Sequence, residues 1–254
     1  GAHLLVVDDS AMNRDLVERA LALEGATATL AADGQQAVQL LRTRPGRFDA
    51  VLMDVQMPVM DGLTATRLIR GELGLIDLPV LAFTAGVRDE QQATARAAGA
   101  NDVLPKPMDL EQMTAMLLRW IKPRPAARPS PAAQARADDA GFPDIAGIDG
   151  PRAAQRLGRD REMFLHLLAM FVDDNADAAE RARDDLARGD RESAARRMHT
   201  LGSNAGFLCA LDLMDSARRL ERAIEDDADG IDAALLAIGE EIAALVAASA
   251  PWRG

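Results

Sequence analysis

The sequence predicts an α/β fold, a doubly wound five-stranded parallel sheet, followed by a separate all-α antiparallel helical bundle. Three observations predict it. Up to about Lys122, short apolar runs alternate regularly with amphipathic segments, the pattern of βα units stacked into a parallel sheet. A proline-rich stretch then interrupts all apolar periodicity. Beyond it apolar residues recur only at helical spacing, and proline is absent from 152 to 250, which suits uninterrupted helices.

In the first part, strands are predicted over 3–7, 27–31, 49–53, 79–83 and 101–104, and helices over 12–23, 34–44, 62–71, 89–98 and 109–120. Ser10 and Asp33 are placed to cap the helices that follow them, and Gly25 and Gly99 fit helix ends. In the second part, helical periodicity runs through 151–157, 160–188, 190–208, 211–227 and 231–249, with polar breaks at Gly189-Asp190 and Asp229-Gly230. The core there is predicted to comprise Leu165, Leu168, Phe171, Leu186, Met198, Leu201, Leu208, Leu220, Leu235, Ile238, Ile242 and Leu245.

A chain of 254 residues favours two domains. The expected division is a first domain at 1–122, a Pro/Ala-rich linker at 123–142 and a helical bundle at 143–254. Net charges of −4, +1 and −8 for the three parts leave no basic surface for nucleic acid, so none is expected as a partner. Apolar runs stay below the ~20 residues that span a bilayer, and no membrane contact is expected of this fragment. A cytoplasmic location follows, with a membrane anchor allowed in the parent protein. The opening Gly1-Ala2, without methionine, is expected of an excised fragment with further domains upstream. The single cysteine, Cys209, reads as a small buried hydrophobe.

Asp8, Asp9, Asp54, Thr84 and Lys106 each sit where a predicted strand ends. In an open α/β sheet those ends share one edge, the crevice that binds ligands. Clustered carboxylates repel unless a cation neutralises them, and an oxygen-rich site suits Mg²⁺. Asp54 is then the nucleophile, because an aspartate can take a phosphoryl group as an acyl phosphate. The Lys106 ammonium and Thr84 hydroxyl would hold the phosphoryl oxygens. Lysine is used at only one other position, Lys122, in a chain that otherwise uses arginine, so Lys106 carries weight. The Lys106-Pro107 bond is a candidate cis peptide.

With the motifs VVDDS at 6–10, MDVQMPVMDG at 53–62, FTA at 83–85 and LPKP at 104–107, residues 3–122 resemble a response-regulator receiver domain of flavodoxin-like fold. The resemblance implies Asp54 as phosphoacceptor, and Asp9, Asp54 and the Gln56 carbonyl as magnesium ligands, with Asp8 reaching the ion mainly through water. It implies Thr84 as the switch hydroxyl and Lys106 as the cation that contacts phosphate. The aromatic that receivers usually carry on the fifth strand is absent, and Val103 is expected in its place.

His199 lies within a long helix, and Gly202, Ser203 and Gly206 share its face. Two glycines cost about 1 kcal/mol each in a helix interior, an expense that clearing the approach to an exposed imidazole would explain. The string RRMHTLGSNAGFLCA at 196–210, with DSARRLERAIE following, resembles a histidine phosphotransfer (HPt) domain from about Ile148 to Leu245. By that resemblance His199 accepts the phosphoryl group. The motif's usual lysine three residues on is replaced by Gly202, and Arg196, Arg218 or Arg222 is expected to supply a cation instead.

The expected function is therefore a phosphorelay fragment of a hybrid sensor histidine kinase. Its partners are an upstream histidine kinase core and a downstream response-regulator receiver. No ATP-binding kinase core is present in this sequence. Two rivals are a receiver-regulated docking or dimerisation bundle with a degenerate, non-transferring HPt domain, and a phosphate sink running from His199 to Asp54 and water.

Overall fold

The computed structural model describes residues 1–84, 89–106, 110–121 and 141–253. Most of the predicted linker and the Lys106-Pro107 bond lie outside the described residues. The chain divides into two compact units, residues 1–136 and 137–254.

In the first unit five βα repeats follow one another: β1 (His3–Val7), α1 (Ala11–Leu23), β2 (Thr27–Ala31), α2 (Gly34–Thr43), β3 (Ala50–Asp54), α3 (Gly62–Gly71), β4 (Val80–Thr84), α4 (Asp89–Ala97), β5 (Asp102–Pro105) and α5 (Leu110–Trp120). The strands pair in parallel in the order β2-β1-β3-β4-β5. Every residue of β3 and β4 is buried, as expected of parallel strands covered by helices on both faces. The predicted third, fourth and fifth strands each begin one residue later than expected, so Asp54 and Thr84 are the last residues of their strands. The strand order reverses between β1 and β3, where a crevice opens at the carboxyl ends.

Local chemistry sets the helix starts around that crevice. Ser10 accepts a hydrogen bond from the Asn13 amide at 3.2 Å, and Asp33 accepts one from the Gln36 amide at 2.8 Å, as N-caps do. Gly25 and Gly99 adopt positive φ at the ends of α1 and α4, as predicted. Gly62 opens α3 against the end of β3, where an added Cβ would stand 1.9 Å from the Asp54 carbonyl oxygen. Only glycine lets this helix start so close to the site. At the far edge of the sheet Asp102 opens β5 and collects three partners: Arg96 at 3.1 Å, Arg119 at 3.5 Å and the Trp120 indole N–H at 3.3 Å. Val103 beside it is buried against Ala82, Ala95 and Ala100.

The second unit contains α6 (Gly150–Arg156), α7 (Arg161–Asn175), α8 (Ala178–Ala187), α9 (Arg191–Phe207), α10 (Leu211–Glu225) and α11 (Ile231–Ser249), closed by a 3-10 turn (Ala250–Trp252). The single helix predicted over 160–188 is two helices. Within its polar run the Asn175 side chain donates to the Phe171 carbonyl at 2.8 Å, competing with the backbone ladder where the chain turns. Helix α9 packs against α8 and α10, and its segment from Leu201 to Phe207 is wholly buried. Ten of the twelve predicted core residues are buried; Leu165 and Leu186 are only partly so. Asp185, next to Leu186, is buried instead, because Arg188 and Arg197 both pair with it. Cys209 is fully buried, and burial pushes its thiol pKa up.

Candidate functional site

The edge formed by the carboxyl ends of β1, β3, β4 and β5 gathers most of the predicted groups. Carboxylate oxygens of Asp8, Asp9 and Asp54 lie within 4.8 Å of one another. Asp8 and Asp54 are buried while Asp9 is half-exposed, so the cluster has a closed floor and an open rim. The Lys106 ammonium enters from the end of β5 and reaches Asp54 Oδ2 at 2.7 Å and Asp8 Oδ2 at 3.1 Å. Burial works against the charge on Lys106. The Asp54, Asp8 and Asp9 charges and the hydrogen bond to Asp54 outweigh it and hold the ammonium well above the ordinary lysine pKa.

Thr84 is placed on the same edge by β4, and its carbonyl accepts the Lys106 backbone amide at 2.6 Å. Its hydroxyl donates to Gln91 Oε1 at 3.5 Å and is buried. Gln56, two residues beyond Asp54, donates its backbone amide to Asp54 Oδ1 at 3.3 Å, and its side chain is exposed.

Two residues that the sequence reading passed over hold this arrangement. The Asn13 side-chain amide donates to Asp8 Oδ1 at 2.9 Å and to Oδ2 at 3.1 Å, and the Ser10 amide donates to Oδ1 at 2.9 Å. Arg14 donates to the Asp8 carbonyl at 2.6 Å and the Asp9 carbonyl at 3.0 Å. Their placement in the first turn of the helix after Asp8-Asp9 was the available signal. Three carboxylates within one oxygen-to-oxygen span, with no sulfur or imidazole among them, fit a hard divalent cation such as Mg²⁺.

In the second unit the surroundings of His199 differ from expectation. The residue is 7% exposed rather than open. Gly202, Ser203 and Gly206 are all buried, so the small face does not clear an approach to the ring. An added Cβ at Gly202 would meet Ala217 Cβ, Arg218 Cγ and the Met214 carbonyl, each at 3.5 Å and all from α10. The Gly206 carbonyl accepts from Arg156 of α6.

His199 Nδ1 lies 2.8 Å from Glu221 Oε1 on α10. A carboxylate can only accept, so Nδ1 carries a proton, and in the neutral form of the ring Nε2 keeps the lone pair. Sequence reading chose the flanking arginines on this helix and missed the glutamate between them. Glu225, one turn further along, has its carboxyl pushed up by burial and by Glu221 and Asp226, with His199 pulling the other way. Of the three proposed cations, Arg196 pairs with Glu192 at 2.6 Å and Arg222 donates to the Arg218 carbonyl at 3.2 Å. His166 is partly buried on α7, and His3 bridges Thr27 and Thr29 on β2 at 2.7 and 2.9 Å.

Comparison with known proteins finds two family matches in succession along the chain. The family described as response regulator receiver domain matches residues 4–118, and the Hpt domain family matches residues 166–249. Response regulator MprA of Mycobacterium tuberculosis is 40% identical over 128 residues, covering 49% of this chain and 54% of that protein. Transcription factor SKN7 of Saccharomyces cerevisiae is 34% identical over 124 residues, covering 49% of this chain and 19% of that protein. The chain thus spans about half the length of the MprA relatives it matches. Among solved structures, the receiver domain of sensor histidine kinase PA1611 from Pseudomonas aeruginosa, with a magnesium ion in its active-site cleft, is 38% identical. It covers 47% of this chain and 97% of its own, with a TM-score of 0.44. Chemotaxis protein CheY4 of Vibrio cholerae is 32% identical, covering 47% and 98%, with a TM-score of 0.44.

Proposed function

We propose that this chain, which carries a receiver domain followed by an Hpt domain and so belongs to the two-component phosphorelay proteins, is the relay portion of a hybrid sensor histidine kinase. Asp54 accepts a phosphoryl group from a kinase histidine and exchanges it with His199, which serves a downstream response-regulator receiver. The observation that carries this reading is the Lys106 ammonium 2.7 Å from Asp54, inside a three-carboxylate cluster, in a chain that also holds a helix histidine fixed by Glu221.

Asp8, Asp9 and Asp54, with the Gln56 carbonyl, would hold Mg²⁺, which supplies charge neutralisation for the incoming phosphoryl oxygens. The chain's own groups do the rest. Asn13 and the Ser10 amide keep Asp8 from turning away. Lys106 neutralises Asp54 at rest and is positioned to follow the phosphoryl group once that charge moves outward. Thr84 lines the same edge with a hydroxyl able to donate to a phosphoryl oxygen. In the exchange, the P–O bond at Asp54 breaks, its carboxylate is restored, and an N–P bond forms at His199 Nε2. The Nδ1 proton stays on the ring, held by Glu221.

No helix among the described residues is long and apolar enough to cross a membrane. We assign the relay to the cytoplasm, where a kinase core draws on ATP. The burial of His199 favours a second reading, in which the helical bundle is a receiver-regulated docking or dimerisation module and transfers nothing. One assay separates the two. The intact chain and its Asp54→Asn and His199→Gln variants are incubated with a kinase core and labelled ATP. Acid-labile, alkali-stable label lost in both variants supports the relay. Label confined to Asp54 supports the docking module, and label persisting in Asp54→Asn removes the phosphoacceptor assignment.

A further inference from the structure

We infer that the Arg218 guanidinium, carried by α10, is the cation that meets the phosphoryl group on His199. This rests on the relay reading of His199.

Helices α9 and α10 are joined by three residues, Leu208 to Ala210, and so form an antiparallel pair. Two contacts fix their register. His199 faces Glu221, and three residues further along α9 Gly202 faces Arg218, three residues back along α10. Constant offsets of opposite sign are what antiparallel neighbours give. One such step is about 4.5 Å along the axis. The Arg218 stem at Cγ therefore lies where a side chain at position 202 would begin, 3.5 Å from the place its Cβ would take. From Cγ an arginine reaches roughly another turn of helix, enough to bring its donors level with the ring of His199.

The other arginines are placed less well. Arg196 lines a pocket with Asn175, Arg181, Arg197 and Thr200 on the α7 and α8 side of α9, whereas the Glu221 contact marks the α10 side as the one facing the ring. Arg222 is exposed, and its Nε is bound to the Arg218 carbonyl. Arg218 is half-buried, so its charge is less screened than a surface arginine's. Two carboxylates, Glu221 and Glu225, belong to the same stripe of α10, and a phosphoryl group at Nε2 adds further negative charge. A cation from that stripe is what makes the site tolerant of it. A guanidinium also offers paired donors to two phosphoryl oxygens. On this account the neighbouring helix delivers the charge that position 202 itself lacks.

The test uses the intact chain with a kinase core and labelled ATP, following label on His199 and its loss with time. If the unsubstituted chain never labels His199, the relay reading itself fails, whatever Arg218 does. If it labels, Arg218→Gln should slow the appearance of phosphohistidine and shorten its lifetime by about 10- to 100-fold, the range for one charged hydrogen bond. Arg218→Lys should keep most of both. Arg196→Gln and Arg222→Gln should stay within about twofold of the parent chain. Adding Gly202→Lys to Arg218→Gln should restore the lifetime, since a Cβ at position 202 meets its neighbours at ordinary contact distance, whereas a loss due to misfolding would persist. Unchanged phosphohistidine kinetics in Arg218→Gln, or the loss appearing in Arg196→Gln instead, would overturn the assignment.

Discussion

Lys106 Nζ and Asp54 Oδ2 lie 2.7 Å apart with side chains that are 3% and 1% exposed, so part of the carboxylate charge at the centre of the crevice is offset from within the fold. A divalent cation arriving there competes with an ammonium for the same oxygens.

Lys106→Met is expected to lower stability by about 3 to 5 kcal/mol in metal-free buffer, the range for removing one partner of a buried ion pair. Added Mg²⁺ should recover much of that loss and raise the melting temperature of the variant more than that of the parent chain. Melting curves at several Mg²⁺ concentrations check this. A smaller Mg²⁺ response in the variant would mean that the ion does not use these carboxylates.

Gly62→Ala is expected to be costly because its methyl group would land 1.9 Å from the Asp54 carbonyl oxygen, and backbone cannot step aside as a side chain does. A loss of at least about 1 to 3 kcal/mol is expected, with slower labelling of Asp54 as the strand end shifts. Urea unfolding gives the first quantity and the kinase assay the second.

Asp61 caps α3, accepting from the Thr64 amide at 2.8 Å and from its hydroxyl at 2.7 Å. Burial alone would raise its pKa, but the Thr64 bonds and the Arg67 charge outweigh this and lower it. Asp61→Ala should cost about 1 kcal/mol at neutral pH. A depressed carboxyl stabilises the fold above its unfolded pKa, about 3.9, and that contribution fades as pH falls through the lower folded value. The gap between parent and variant should therefore be constant from pH 7 to 5 and close below about pH 4. A gap that widens on acidification would contradict the assigned hydrogen bonds.

Glu221→Gln keeps an oxygen for the His199 Nδ1 proton, whereas Glu221→Ala removes it. The alanine variant should label His199 about tenfold more slowly, with the glutamine variant between it and the parent chain. A ring-nitrogen NMR spectrum offers a separate check: the alanine variant should show a mixture of tautomers where the parent shows one.

The first unit was legible almost element by element because its signals are local. Strand runs, caps at Ser10 and Asp33, and glycines at 25 and 99 each act within a few residues. Asp8, Asp54 and Lys106 could be joined from sequence because parallel strands bring their ends to one edge. The helical bundle was harder to read. The turn at Ala176-Asp177 follows from a side chain competing for its own backbone, which periodicity does not register. The burial of Leu186 was misjudged because Asp185 is held inside by Arg188 and Arg197, the latter 12 residues away. Glu221 escaped notice because its role depends on the register of two helices, a quantity no single helix records.

The Trp120 indole bonded to Asp102 gives the molecule a built-in optical gauge. The chain has no tyrosine and two tryptophans, one in each unit, the second being Trp252 beneath the Arg161 guanidinium at 5.9 Å. With Trp252 replaced by phenylalanine, ultraviolet emission would come from one indole clasped at the joint of β5 and α5. Any loosening of that joint, by ion uptake at the far strand ends or by phosphorylation of Asp54, would register as a spectral shift without a label or a partner.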